Sequence, residues 1–319
     1  MRRVFFPCTV STADSLTDVF DFLWPTAAAI WNLRWQVRGL IDASPNIDQE
    51  TLLGRFVNGS GIHGVNLRRA CVELTWEQQQ HRLAEVLLTS AFALFESWCE
   101  QVLEVLHLAT NKNIKGLQFP TQKDATGAVT AGVGSVLNTA HHSESQMIVT
   151  SIYPELTRHP KHSLPHLESH LLCYHYFKEL RNCLIHKGGI ADHKCIDAYA
   201  AFSPVATPAA LGMRECPQHV PPTLNNPVGL SLRGVVGMTE VVLRLVVTLD
   251  SQFARNRRAE TVFLTAWQQV YATKPKPMLP AGADQKRKRM RHLVRKIGLH
   301  TTDNMADLEA FLRSHSLVA

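Results

Sequence analysis

Apolar residues recur at spacings of three and four along most of the chain, which predicts helices rather than strands. Leu16, Val19, Phe20, Leu23, Ile30, Leu33 and Val37 mark a helical region over 11–40, kinked or split at Pro25. Turns follow at Ala43-Ser44-Pro45-Asn46 and Asn58-Gly59-Ser60-Gly61. The strongest pattern runs over 76–110. Leu83, Leu87, Ala91, Leu94, Trp98, Val102, Val105 and Ala109 form one stripe, and Leu88, Phe92, Phe95, Cys99 and Leu106 a second beside it. Two adjacent stripes predict a central helix, covered by its own domain and by a partner.

Residues 111–165 break the pattern with Gly, Thr, Ser and Pro, and read as an insertion holding one short helix over 136–152. A second strong helix covers 164–187 and stops at Gly188-Gly189. A short helix over 193–202, a Pro-rich loop and a long helix over 230–255 complete the body, and strand-like alternation is confined to 230–235. These elements predict an all-α fold in three parts: an N-terminal helical extension (1–70), a helical domain (71–272) with its insertion near 111–163, and a C-terminal segment (273–319).

Composition narrows the class. The chain has 319 residues, 45% of them hydrophobic and 8% aromatic, which excludes disorder for most of it. The most apolar stretch, 241–249, contains Arg244 and is shorter than the roughly 20 residues a bilayer requires, so no membrane partner is expected. Pro7 interrupts the apolar patch at Val4–Phe6, so no secretory signal is expected either. Seven scattered cysteines without a Cys-x-x-Cys pair are neither a disulfide framework nor a zinc ribbon, and point to a reducing cytoplasm.

The formal charge is +6. Seven basic and no acidic residues lie between Lys286 and Lys296, so the rest of the chain carries −1. The basic character is therefore local. Lys286, Arg287, Lys288 and Arg289 are candidates for RNA phosphate contact, or for a merely solubilising helix. The following Thr302-Asp303-Asn304-Met305 reads as a helix start, so this end is expected to be folded. His159, His162, His166, His170 and His175 are closely spaced, but Pro160 and Pro165 interrupt a shared helix face, and no metal or other cofactor is expected.

Chemistry concentrates in the helix that ends at Gly188. Leu167, Leu171, Tyr174, Phe177, Leu180 and Leu184 make its core stripe. Glu168, His175, Glu179, Asn182 and His186 fall opposite, with Arg181 between the two faces. His186 occupies the last turn, beside unpaired carbonyl oxygens that attract a cationic imidazolium. An imidazole suits proton transfer to or from a phosphodiester, and a guanidinium one to two turns away suits binding its charge.

The run from Phe177 to Gly189, Phe-Lys-Glu-Leu-Arg-Asn-Cys-Leu-Ile-His-Lys-Gly-Gly, resembles the signature of the HEPN superfamily (higher eukaryotes and prokaryotes nucleotide-binding). The bare Arg-x4-His spacing occurs four times in the chain, at Arg181/His186, Arg214/His219, Arg287/His292 and Arg295/His300. Only the first adds the neighbouring Asn182, an amphipathic helix and a Gly-Gly stop.

The resemblance implies a HEPN-like helical bundle acting as a metal-independent endoribonuclease that cleaves RNA by 2′-OH transesterification, in antiviral defence or as a toxin. It implies catalytic roles for Arg181 and His186, a supporting role for Asn182, an RNA substrate, a homodimer, and an antitoxin or other defence-system partner. Phe95-Glu96-Ser97-Trp98 resembles part of the family's first core helix, which adds Glu96, with His175, as supporting candidates; Lys187 joins the RNA-binding ones. Where members silenced by a nucleotidyltransferase antitoxin carry a Tyr two residues after the His, this chain has Gly188, so that mode of control is not expected. The alternative is a non-catalytic HEPN-like module that uses the same cleft to bind RNA or a protein.

Overall fold

The computed structural model describes residues 3–319 and is all-helical apart from one small hairpin. Its first helix, α1 (Pro7–Ala43), begins with Pro at the first helical position, where the fixed φ fits and no N–H is needed. Phe6 at the N-cap has no side-chain acceptor to offer. The carboxylate of Asp250, far along the chain, instead anchors the two residues just before the helix, accepting the N–H of Phe5 at 2.7 Å and of Phe6 at 3.0 Å. Of the kink or split expected at Pro25, the split does not occur, and α1 continues through it as one helix. Pro25 and Asp21 lie on the solvent side, where water can reach the carbonyl that loses its donor, and the Thr26 hydroxyl donates to Phe22 O at 2.7 Å one residue along.

Helix α2 (Gln49–Phe56) and a π-helical turn at Arg69–Glu73 fold back on the second half of α1. Val37, Leu52, Leu67 and Cys71 form a small core there, separate from the main one. Arg34 and Arg38 reach into this layer and donate to the carbonyls of Ala70, Leu74, Cys71 and Val72. The first half of α1 belongs instead to the main core, through Phe5, Phe6, Leu16 and Leu23.

Helix α3 (Trp76–Val105) starts with a capping box, Thr75 and Gln78 bonding each other's backbone. It ends earlier than its apolar pattern, at Val105, because His107 turns to a positive φ of 53°. Ten of its residues are buried, and α1 and α11 (Leu232–Ala254) pack along it. Its wide apolar face is thus closed within the chain, which leaves only Val86 and Val105 exposed among its large apolar residues. Trp98 joins α3 to α1 by donating its indole N–H to Thr9 Oγ1 at 2.8 Å. Among the described residues α3 is also the one helix long and apolar enough to cross a membrane, and half of its most apolar window is buried in the fold.

The insertion holds more structure than its composition suggests. It contains α4 (Asn111–Gly116), the antiparallel pair β1 (Gln122–Lys123) and β2 (Val129–Ala131), α5 (Gly132–His141), α6 (Gln146–Ser151) and α7 (Tyr153–Leu156). The single helix expected over 136–152 is therefore two, with Ser145 capping the second. Helices α8 (Leu167–His186), α9 (His193–Phe202) and α10 (Pro208–Leu211) follow, and 230–235 opens α11 rather than a strand. From Val241 onward almost every residue of α11 is buried, and Arg244 pairs with Glu240 one turn back at 2.9 Å. Helices α12 (Ala259–Tyr271), α13 (Ala283–Lys296) and α14 (Ala306–Ser314) place Met290, Leu293, Val294, Leu308, Phe311 and Leu312 in the main core. The basic C-terminal segment is docked, with Tyr271 donating its hydroxyl to Leu293 O at 3.1 Å.

Candidate functional site on helix α8

Leu171, Tyr174, Phe177 and Leu180 face the core from α8, as their spacing predicts. His170, Cys173 and Tyr176 are buried as well, on a flank covered by α9 and the following loop. Tyr176 stacks on Phe202 at 5.6 Å and donates to Val220 O at 2.9 Å. The outer arc of the helix carries the candidate chemistry. At about 100° per residue, Asn182, His175, His186 and Glu179 fall within about 60° of one another, and Arg181 is about 140° from His186.

Arg181 is half-buried at the seam with α3. Its guanidinium lies over Phe92, 5.9 Å from the ring centre, and its Nε is buried without a hydrogen-bond partner. The hydroxyl of Tyr174 is likewise buried and unpaired, and burial together with the Glu96 and Cys99 charges drives its pKa well up, against the opposing field of Arg181. The aromatic wall thus holds a cation whose polar needs the fold leaves unmet.

Asn182 donates to Glu179 Oε2 at 3.3 Å, and His175 Nε2 lies 3.7 Å from Glu179 Oε1. Burial pushes the His175 pKa below 6.5; Glu179 opposes this and Lys178 reinforces it. The His175 ring also packs on Phe119 at 5.1 Å. Glu96 pairs with Lys178 at 3.2 Å, and Lys178 further contacts Gln118 and the rings of Phe119 and Tyr174. The structure therefore joins Glu96, His175, Glu179 and Asn182 into one patch through Lys178 and Phe119, two residues that sequence reasoning passed over. Lys178 stands inside the signature run, but nothing local marks its contact with α3. Phe119 also walls a concavity of about 230 Å³ flanked by Lys112 and Lys115.

His186 stands apart from that patch. It is exposed, in the last turn of α8, and makes no hydrogen bond or ion pair with any described residue. Past it the chain turns at Gly188 (φ +60°) and Gly189 (φ +79°), with the N–H groups of Lys187 and Gly189 both on Cys183 O. Val228 and Asn226 pin the segment that follows through backbone bonds to Gly189 and Ala191. Exposed Ile185 and Ile190 flank His186 in sequence, and Lys187 is exposed.

The basic helix divides its charges. Lys286 pairs with Glu309 at 2.9 Å and Arg287 with Asp284, whereas Lys288 and Arg289 are exposed and have no carboxylate partner among the described residues. Among those residues no group of three or more His, Cys, Asp or Glu is placed to hold a metal ion. Within the histidine series, His166 is engaged with Ala210 O and His170 with Leu211 O. No family model, curated protein or solved structure matches the chain.

Proposed function

We propose that the protein is a metal-independent endoribonuclease of HEPN type, acting as a homodimer in defence or as a toxin, with Arg181, Asn182 and His186 as its catalytic group. One observation carries the reading: the Arg-Asn…His run lies on a single helix whose last turn presents His186 to solvent just before the Gly-Gly stop. Arg181, pre-set against Phe92, neutralises charge on the scissile phosphate, and Asn182 supports Arg181 and His186. His186 takes the proton from a ribose 2′-OH, whose oxygen attacks the phosphorus. A second His186, from another copy of the chain, protonates the departing 5′-oxygen. The products are a 2′,3′-cyclic phosphate and a 5′-hydroxyl. Exposed Ile185 and Ile190 offer apolar surface for that second copy beside the imidazole.

Incubating the purified protein with RNA in EDTA tests the proposal. Cleavage to cyclic-phosphate ends, lost in both Arg181→Ala and His186→Ala, supports it. The lack of an orienting partner for His186 within one copy favours the other reading, a non-catalytic binding module. RNA binding without cleavage in the parent protein selects that reading and rejects the nuclease.

A further inference from the structure

Arg291 and Arg295, one turn apart on α13, line a polar cavity of about 320 Å³ together with Arg3, Arg158 and His300. Its walls come from segments far apart in sequence: the stretch before α1, the end of α7 with Arg158 two residues past it, and α13 with the loop beyond. Two carboxylates share the cavity, Glu155 and Asp303, and each is already engaged, Glu155 by Arg158 and Asp303 by Arg291. Arg3 and Arg295 have no carboxylate partner among the described residues; Arg3 only donates to Arg158 O at 3.2 Å. Four guanidiniums against two carboxylates leave an excess of two positive charges inside a concavity.

We propose that this cavity binds a phosphate dianion carried by a small molecule of nucleotide size. The unpaired guanidiniums match the charge of a terminal phosphate or pyrophosphate, and their planar donors match its several oxygens. His300 lines the same cavity, and its Nε2 is buried without a hydrogen-bond partner. The local field agrees: burial first, then the charges of Arg295 and Arg3, hold the His300 pKa below 6.5, with Glu155 opposing. The volume sits at the lower edge of small-ligand cavities, about 300 Å³, which suits a nucleotide better than a polynucleotide tracking a surface stripe. None of the cavity's residues lies on α8, so the inference is independent of the nuclease reading.

Calorimetric titration of the full chain with pyrophosphate, at constant ionic strength, tests the proposal. Saturable one-to-one binding in the sub-millimolar range is expected. Arg295→Glu, a change at an exposed residue, is expected to weaken it at least about tenfold. Lys296→Glu is the control: it makes the same charge change one residue on, about 100° around the helix, and is expected to stay within about twofold. Absence of saturable heat overturns the proposal. So does equal weakening by both variants, which signifies diffuse attraction, and so does equal competition by a short RNA lacking a terminal phosphate, which assigns the cavity to a polynucleotide.

Discussion

Replacing Asp250 with Asn isolates the most unusual ionisable group of the core. Asp250 is fully buried in α11, accepts the N–H groups of Phe5 and Phe6, and is bonded by the Thr9 side chain. Burial lifts its pKa from 3.8 to about 6 despite those three hydrogen bonds, each of which favours the anion. The folded protein therefore binds this proton more tightly than the unfolded chain, so the contribution to stability falls as pH rises. It is undiminished below about pH 4, declines between about 4 and 6, and is fully reduced above 6. At 1.36 kcal/mol for each tenfold change in proton affinity, the rise from 3.8 to about 6 amounts to about 3 kcal/mol.

Asn keeps one acceptor and cannot ionise. The stability of the parent minus that of Asp250→Asn should therefore drop by about 3 kcal/mol between pH 4 and pH 7. Urea unfolding of both proteins across that range measures it, and comparison at each pH cancels every other titrating group. A difference that is flat with pH, or that grows toward neutrality, refutes the argument that burial outweighs the hydrogen bonds.

Four further outcomes are expected. His170 is fully buried and its pKa is lowered to about 4, chiefly by burial, so the parent should lose about 3 kcal/mol as pH falls from 6.5 to 4; His170→Gln should flatten that acid limb in the same unfolding assay. His186→Ala should abolish RNA cleavage yet shift unfolding by less than about 0.5 kcal/mol, since the side chain is exposed and unpartnered; a large loss of stability would show that the residue is structural. Gly132 has φ +75° and an added Cβ would stand 1.9 Å from Pro120 O, so Gly132→Ala should cost more than about 2 kcal/mol in thermal or urea unfolding. Amide exchange should show residues 49–73 opening ahead of α3 and α11, because their small core is separate from the main one.

The sequence makes the long helices legible because each carries its own evidence. The two apolar stripes mark α3, the three-and-four spacing of α8 locates its buried face, and Gly188-Gly189 announces its end. What escapes is contact between distant segments. The survival of α1 through Pro25 depends on which side faces water, and the anchoring of Phe6 depends on a residue 244 positions away. The candidate site divides in the same way. Its residue types and spacing are written in one stretch of α8, whereas the packing of Arg181 on Phe92 and the Glu96–Lys178 pair exist only once α3 lies alongside. The charge run of α13 shows quantity but not direction: Lys286 and Arg287 turn to nearby carboxylates, and Arg291 and Arg295 turn to the cavity.

The bond from Phe6 to Asp250 also has a temporal side. On a ribosome adding about 5–20 residues per second, the acceptor for the amides that lead into α1 is made roughly 12–50 s after those amides themselves. Throughout that interval the opening amides must be hydrated or sheltered by another molecule. Synthesis of α11 is then the event that lets the earliest helix lock, and a nascent chain arrested before it should remain open to protease at its leading end.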